Sequence, residues 1–75
     1  MNQIYALEDR GEIVRVYGRL KGQIKGKLAE YFIYVDNKEM EWLHIHVIKE
    51  DLYYLFPFNS KLQNHFEYLK WLDNK

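Results

Sequence analysis

Hydrophobic and polar residues alternate along much of the chain, and the period changes near its end. In residues 12–21 the run EIVRVYGRLK puts Val14, Val16 and Leu20 on one side of an extended strand and Ile13, Arg15, Tyr17 and Arg19 on the other. Gly18 falls on the aliphatic side, where a missing side chain marks a bend, a bulge or the close approach of another backbone. Residues 28–35, LAEYFIYV, predict a second strand with Ile33 and Val35 on one face and Glu30, Phe32 and Tyr34 on the other. Residues 40–48 predict a third, with Leu43, Ile45 and Val47 opposed to Trp42, His44 and His46. The stretch 3–7 reads as a short strand that precedes these. Residues 52–58, LYYLFPF, read as a short strand that follows them, or alternatively as a helical turn; Pro57 confines such a strand to an edge or ends it.

The punctuation between these runs is consistent with hairpins. Glu8-Asp9-Arg10-Gly11 offers a tight reversal in which Gly11 supplies a positive φ, and Asp36-Asn37-Lys38 forms a second turn. Residues 22–26, with two glycines and a lysine, read as a flexible basic loop, a weak signal for phosphate binding. In residues 60–73 the period becomes helical: Leu62, Phe66, Leu69 and Leu72 form a stripe, and Ser60 with Gln63 makes a capping box. A helix with one apolar stripe needs a surface to bury it. The aliphatic sheet face of Val14, Val16, Leu20, Ile33, Val35, Leu43, Ile45 and Val47 supplies one. The fold expected is therefore α+β: a curved antiparallel sheet of four to five strands with one C-terminal helix packed on its aliphatic face. The alternative is a small β-barrel with the C-terminal helix as a plug.

Length and composition narrow the picture further. At 75 residues the chain is expected to be one domain, 1–75. Apolar residues at 48% and charged residues at 29% place it among folded proteins rather than disordered ones. Seven Tyr, four Phe and two Trp give rings that help compensate for a small core or that face a partner. With no cysteine there is neither a disulfide framework nor a thiolate zinc site, and a cytoplasmic setting is the simplest fit. The first residues do not read as a signal peptide, and no apolar run approaches the roughly 18 residues of a membrane span.

The candidate functional surface is the sheet face opposite the expected helix. It would carry Arg15, Tyr17, Arg19, Phe32, Tyr34, Trp42, His44 and His46, a mixture of rings and cations of the kind protein interfaces use. The competing reading is that these rings are enclosed by barrel closure, by the first strand or by a second copy, and a one-residue slip of register would dissolve the cluster. Protein binding is the first reading, as a non-catalytic inhibitor or adaptor of a larger enzyme, by analogy with small phage- or mobile-element-encoded regulators. Homodimerisation through the same face is compatible with it. The alternative is single-stranded nucleic-acid binding, with rings stacking bases beside the basic series Arg15, Arg19, Lys21, Lys25 and Lys27. A formal net charge of +0 and an acidic second half weigh against it.

Catalysis has no obvious seat. The chain has no Cys and no Thr, its single Ser60 is assigned to a cap, and no phosphate-loop or dinucleotide motif is present. His44 and His46, with His65 as a third, form only a weak metal-ligand pattern, and no cofactor or metal is expected.

Overall fold

The computed structural model describes residues 3–57 together with Glu67 and Asp73. Five strands follow one another: β1 (Gln3–Asp9), β2 (Glu12–Lys25), β3 (Ala29–Asp36), β4 (Glu41–Val47) and β5 (Leu52–Pro57). Each pairs antiparallel with the next, in the spatial order β1-β2-β3-β4-β5.

The turns follow from local chemistry. Asp9 opposes Glu12, so Arg10 and Gly11 alone join β1 to β2, and both have positive φ (50° and 87°). That is the two-residue geometry whose twist matches a hairpin. Asp36 organises the turn between β3 and β4. Its carboxylate accepts the amides of Lys38 (2.8 Å) and Met40 (2.9 Å) and the indole N–H of Trp42 (3.1 Å). The Trp42 bond, first among these causes, holds the Asp36 carboxyl below its ordinary range.

β2 shapes the whole sheet. Its residues 12–18 pair with β1, and its residues 18–25 pair with β3. At the crossover, a Cβ on Gly18 would meet the Val35 carbonyl and lie 2.7 Å from the Asp36 Cα. Only a glycine lets the two backbones approach so closely. A bulge between Leu20 and Gly22 then shifts the phase of β2, adding local twist.

The sheet curls until its two ends meet. The Arg10 amide donates to the Tyr53 carbonyl (2.7 Å), and the Leu55 amide donates to the Asp9 carboxylate (3.1 Å). Leu7 from β1 and Leu55 from β5 consequently share a buried cluster with Val16 and Tyr34, against which Tyr5, Val14, Phe32 and Trp42 pack. A second cluster on the opposite face joins Ala29, Tyr31 and Leu43 with Ile24, Ile33 and Ile45. At its margin Asp73, only 3% exposed, accepts the amides of Leu28 (2.6 Å) and Ala29 (3.3 Å) and the Tyr31 hydroxyl (3.4 Å). These donors replace the water lost by the buried carboxylate. Burial, reinforced by the Asp73 charge, pushes the Tyr31 hydroxyl pKa up.

The architecture is thus a curled five-stranded antiparallel half-barrel, which corrects the α+β expectation. The five elements that the described residues form are all strands, and among those residues there is no helix layer packed on the sheet. The proposed helical segment 60–73 lies outside the described residues apart from Glu67 and Asp73. The physical reason is register. The aliphatic face intended for a helix does not exist as one surface: Val14 and Val16 lie with Phe32, Tyr34 and Trp42 inside the curl, while Ile33, Leu43 and Ile45 lie outside it. The barrel-with-plug alternative is corrected as well, since side chains of the strands themselves fill the interior. Residues 22–26 are not a loop: β2 runs through Lys25, because Gly22, Gln23, Ile24 and Lys25 pair with Ile33, Phe32, Tyr31 and Glu30.

Candidate interaction site

The curl divides the eight residues expected to share a surface into two groups. Phe32, Tyr34, Trp42, His44 and His46 share the inner face, because Phe32 opposes His44 and Tyr34 opposes Trp42 across the β3–β4 ladder. Tyr34 and His44 are 7% and 6% exposed, so neither is presented to a partner. Tyr34 packs on Tyr5 with ring centroids 4.8 Å apart, and Tyr53 stacks on both His44 (5.1 Å) and His46 (4.2 Å).

The surroundings of the two histidines shift them in opposite directions. His44 Nε2–H donates to the Glu8 carbonyl (2.9 Å), tying β4 to the outer edge of β1. Burial holds its pKa below the ordinary value, against the opposing effect of that bond and of nearby Asp9 and Glu8. His46 lies with Nε2 2.7 Å from the Asp51 carboxylate and Nδ1 3.4 Å from that of Glu30. The Asp51 bond, with Glu30 adding to it, raises its pKa. The pair therefore serves as structural cross-links inside and at the rim of the curl. No group of three His, Cys, Asp or Glu suited to a metal occurs among the described residues.

Arg15, Tyr17 and Arg19 point the other way. Cross-strand pairing puts Tyr17 beside Ile4, Arg15 beside Ala6 and Ile13 beside Glu8 on the outer face of the β1–β2 hairpin. Arg19 opposes Val35 further along the same side. The apolar side chains of this mixed face are open: Ile4 is 66%, Ile13 56% and Tyr17 47% exposed.

Next to it the sheet has a notch. β3 ends at Asp36, opposite Gly18, while β2 continues past it toward its own start. An open cleft of about 220 Å³ occupies this step. Val14, Arg15, Val16 and Tyr17 line it on the β2 side and Asp36, Asn37 and Lys38 on the turn side, together with Trp42. Arg15, Tyr17 and Trp42 thus meet at one site, although not on the face first assigned to them. The Asp36 carboxylate there is already engaged by three donors, which leaves Arg15 and Lys38 as the cations available to a ligand.

The basic series is dispersed. Arg15 and Arg19 lie on the outer face, Lys21 stands at the bulge and pairs with Glu41 (2.6 Å), Lys25 opposes Glu30, and Lys27 sits in the β2–β3 turn. Ile4, Ile13, Asn37 and Lys38 were missed as site residues. Ile13 already shared the alternation of Arg15 and Tyr17, whereas Ile4 and Lys38 join only through register and turn geometry. No protein-family model, no curated protein and no solved structure matches the chain. Among the described residues no helix is long and apolar enough to cross a membrane.

Proposed function

We propose that this chain is a small non-catalytic binding protein that engages a protein partner through the outer face of its β1–β2 hairpin and the adjoining cleft, as an inhibitor or adaptor of a larger enzyme. The observation that carries this reading is the open apolar set Ile4, Ile13 and Tyr17 arranged around Arg15. Exposed apolar side chains grouped with an arginine on one strand face are a composition that interaction surfaces use. Tyr and Arg are also the side chains in which interface energy concentrates. The stacked inner rings contribute rigidity rather than contact.

Nucleic-acid binding is less well supported, since Tyr17 lies on the outer face while Phe32 and Trp42 lie on the inner one, and its cations do not form one stripe. The test is an affinity capture from source-cell lysate with and without nuclease, comparing the parent with Arg15→Ala/Tyr17→Ala. Neither residue belongs to the buried clusters, so the variant is expected to keep its fold. A stoichiometric protein that survives nuclease with the parent and is lost with the folded variant is the expected result. Equal capture by both rejects this surface, and material that vanishes with nuclease favours nucleic acid instead.

A further inference from the structure

The first half of β2 has a backbone edge that no described strand pairs with. In the two-residue hairpin the Asp9–Glu12 pair is hydrogen-bonded, so Glu12, Val14 and Val16 direct their backbone groups at β1. Ile13, Arg15 and Tyr17 must then direct theirs away from β1. Two bonds confirm this parity independently. The Tyr17 carbonyl accepts the Asn37 amide on the far side (3.0 Å), and the Glu8 carbonyl, out of phase with the β1 ladder, accepts His44 (2.9 Å). Beyond Tyr17 the pairing with β3 has ended, so the N–H and C=O groups of Ile13 and Arg15 point to the side of β2 that no described strand covers, and Arg15 lines the cleft there.

We infer that this edge receives an extended, acidic segment of a protein partner, which adds to β2 as a further strand alongside Ile13 and Arg15. The inference rests on the protein-binding reading above and specifies its mode. Main-chain bonds to Ile13 and Arg15 supply affinity, and side-chain positions supply selectivity, as in other strand additions. The acidic preference follows from charge. Arg15 and Lys38 flank the cleft, while the one carboxylate in it, Asp36, is held by Lys38 N–H, Met40 N–H and the Trp42 indole. Alternate side chains of the incoming strand meet Tyr17 and Ile13 on the outer face, so apolar residues should alternate with acidic ones.

The test uses a displayed library of random dodecapeptides selected on the full chain, followed by amide hydrogen exchange of the complex with the best synthetic peptide. In the free protein the Ile13 and Arg15 amides should exchange fast and those of Val14 and Val16 slowly. Enriched peptides should be acidic, should alternate with apolar residues, should lack central proline, and should slow Ile13 and Arg15 exchange on binding. Methylating an alternate peptide amide nitrogen should weaken binding by roughly fivefold to tenfold. Arg15→Glu should abolish selection of acidic sequences. No enrichment over Arg15→Glu, or binding that leaves both amides unprotected and tolerates every N-methyl group, overturns strand addition. In the latter case sensitivity of binding to Arg15→Ala/Tyr17→Ala keeps the side-chain interface alive, whereas insensitivity to it removes both.

Discussion

Replacing Gly18 with alanine tests the device that curls the sheet. The added Cβ would sit 2.7 Å from the Asp36 Cα and 2.8 Å from the Val35 carbonyl carbon, and nearer still to the Val35 oxygen. All three atoms are backbone, so no side chain can swing aside. Ordinary carbon contacts begin near 3.5 Å, which requires β2 and β3 to separate by about 1 Å at this point. Such overpacking costs about 1–3 kcal/mol. The neighbouring bond from the Asn37 amide to the Tyr17 carbonyl, now 3.0 Å, would be stretched out of range. Its net loss adds about 1 kcal/mol. Alanine recovers about 0.4–1 kcal/mol by restricting the unfolded chain.

The balance is a loss of about 1–3 kcal/mol, and since domains of this size lose about 4–8 °C per kcal/mol, a fall in Tm of about 5–25 °C. Gly22→Ala is the internal control. A Cβ there meets nothing within 4 Å, so the same substitution should be neutral or stabilising by up to about 1 kcal/mol. Thermal unfolding followed by near-ultraviolet circular dichroism, which senses the ring cluster, reads both variants. If Gly18→Ala melts within about 2 °C of the parent, the close crossing of β2 and β3 is not a feature of the folded protein.

Two further outcomes are expected. Asp73→Ala removes the carboxylate that accepts the amides of Leu28 and Ala29, so urea unfolding should show a loss of about 2–4 kcal/mol; a change below about 0.5 kcal/mol would mean that the carboxylate does not hold the β2–β3 turn. The histidines should divide the pH dependence between about pH 5 and pH 8, above the range of the lowered Asp9 and Asp36 carboxyls. His44, with its folded pKa below 6.5, binds fewer protons folded than unfolded, so its contribution is present above 6.5 and lost as pH falls. His46, raised by Asp51 and Glu30, does the reverse: its contribution is full below 6.5 and lost as pH rises through its folded pKa. Urea midpoints of His44→Gln should lose the acid-side decline, and those of His46→Gln the decline toward alkaline pH; parent-like slopes in either variant contradict the assignment.

Alternation in the sequence located the strands well and their faces only partly. Residues 28–35 and 40–48 fall within a residue of β3 and β4, and the division of Phe32 and Tyr34 from Ile33 and Val35 is real. Alternation says that neighbours point apart. It does not say which set points inward when both are apolar. In β3 both sets are substantially buried, with Tyr31, Tyr34 and Val35 all below 10% exposure, so matching aliphatic to aliphatic between β2 and β3 had no physical basis. Phase between strands is set by turns and bulges. The pairing of Leu20 with Tyr34 puts the aliphatic side of β2 against the rings, and the bulge before Gly22 reverses the phase again for Ile24. Nothing in EIVRVYGRLK marks that extra residue. Gly18, by contrast, was legible as a close-approach position, because a glycine within an otherwise strict alternation needs a steric reason.

The same geometry that closes the interior opens the site. Were β2 and β3 paired along their full lengths, Ile13 and Arg15 would be covered by a neighbouring strand. Instead β2 passes from one partner to the other at Gly18, which lets the sheet curl so that Arg10 reaches Tyr53 and His44 reaches Glu8. The cost of that handover is a length of β2 with only one neighbour. Inside the curl, every described side-chain polar atom that is fully buried has a partner. Outside it, Ile13, Arg15 and Tyr17 are exposed on the strand that carries the uncovered backbone edge, and Ile4 is exposed across the β1–β2 ladder. A change at Gly18 that loosens the crossing should therefore disturb stability and partner binding together, whereas Arg15→Ala should separate them.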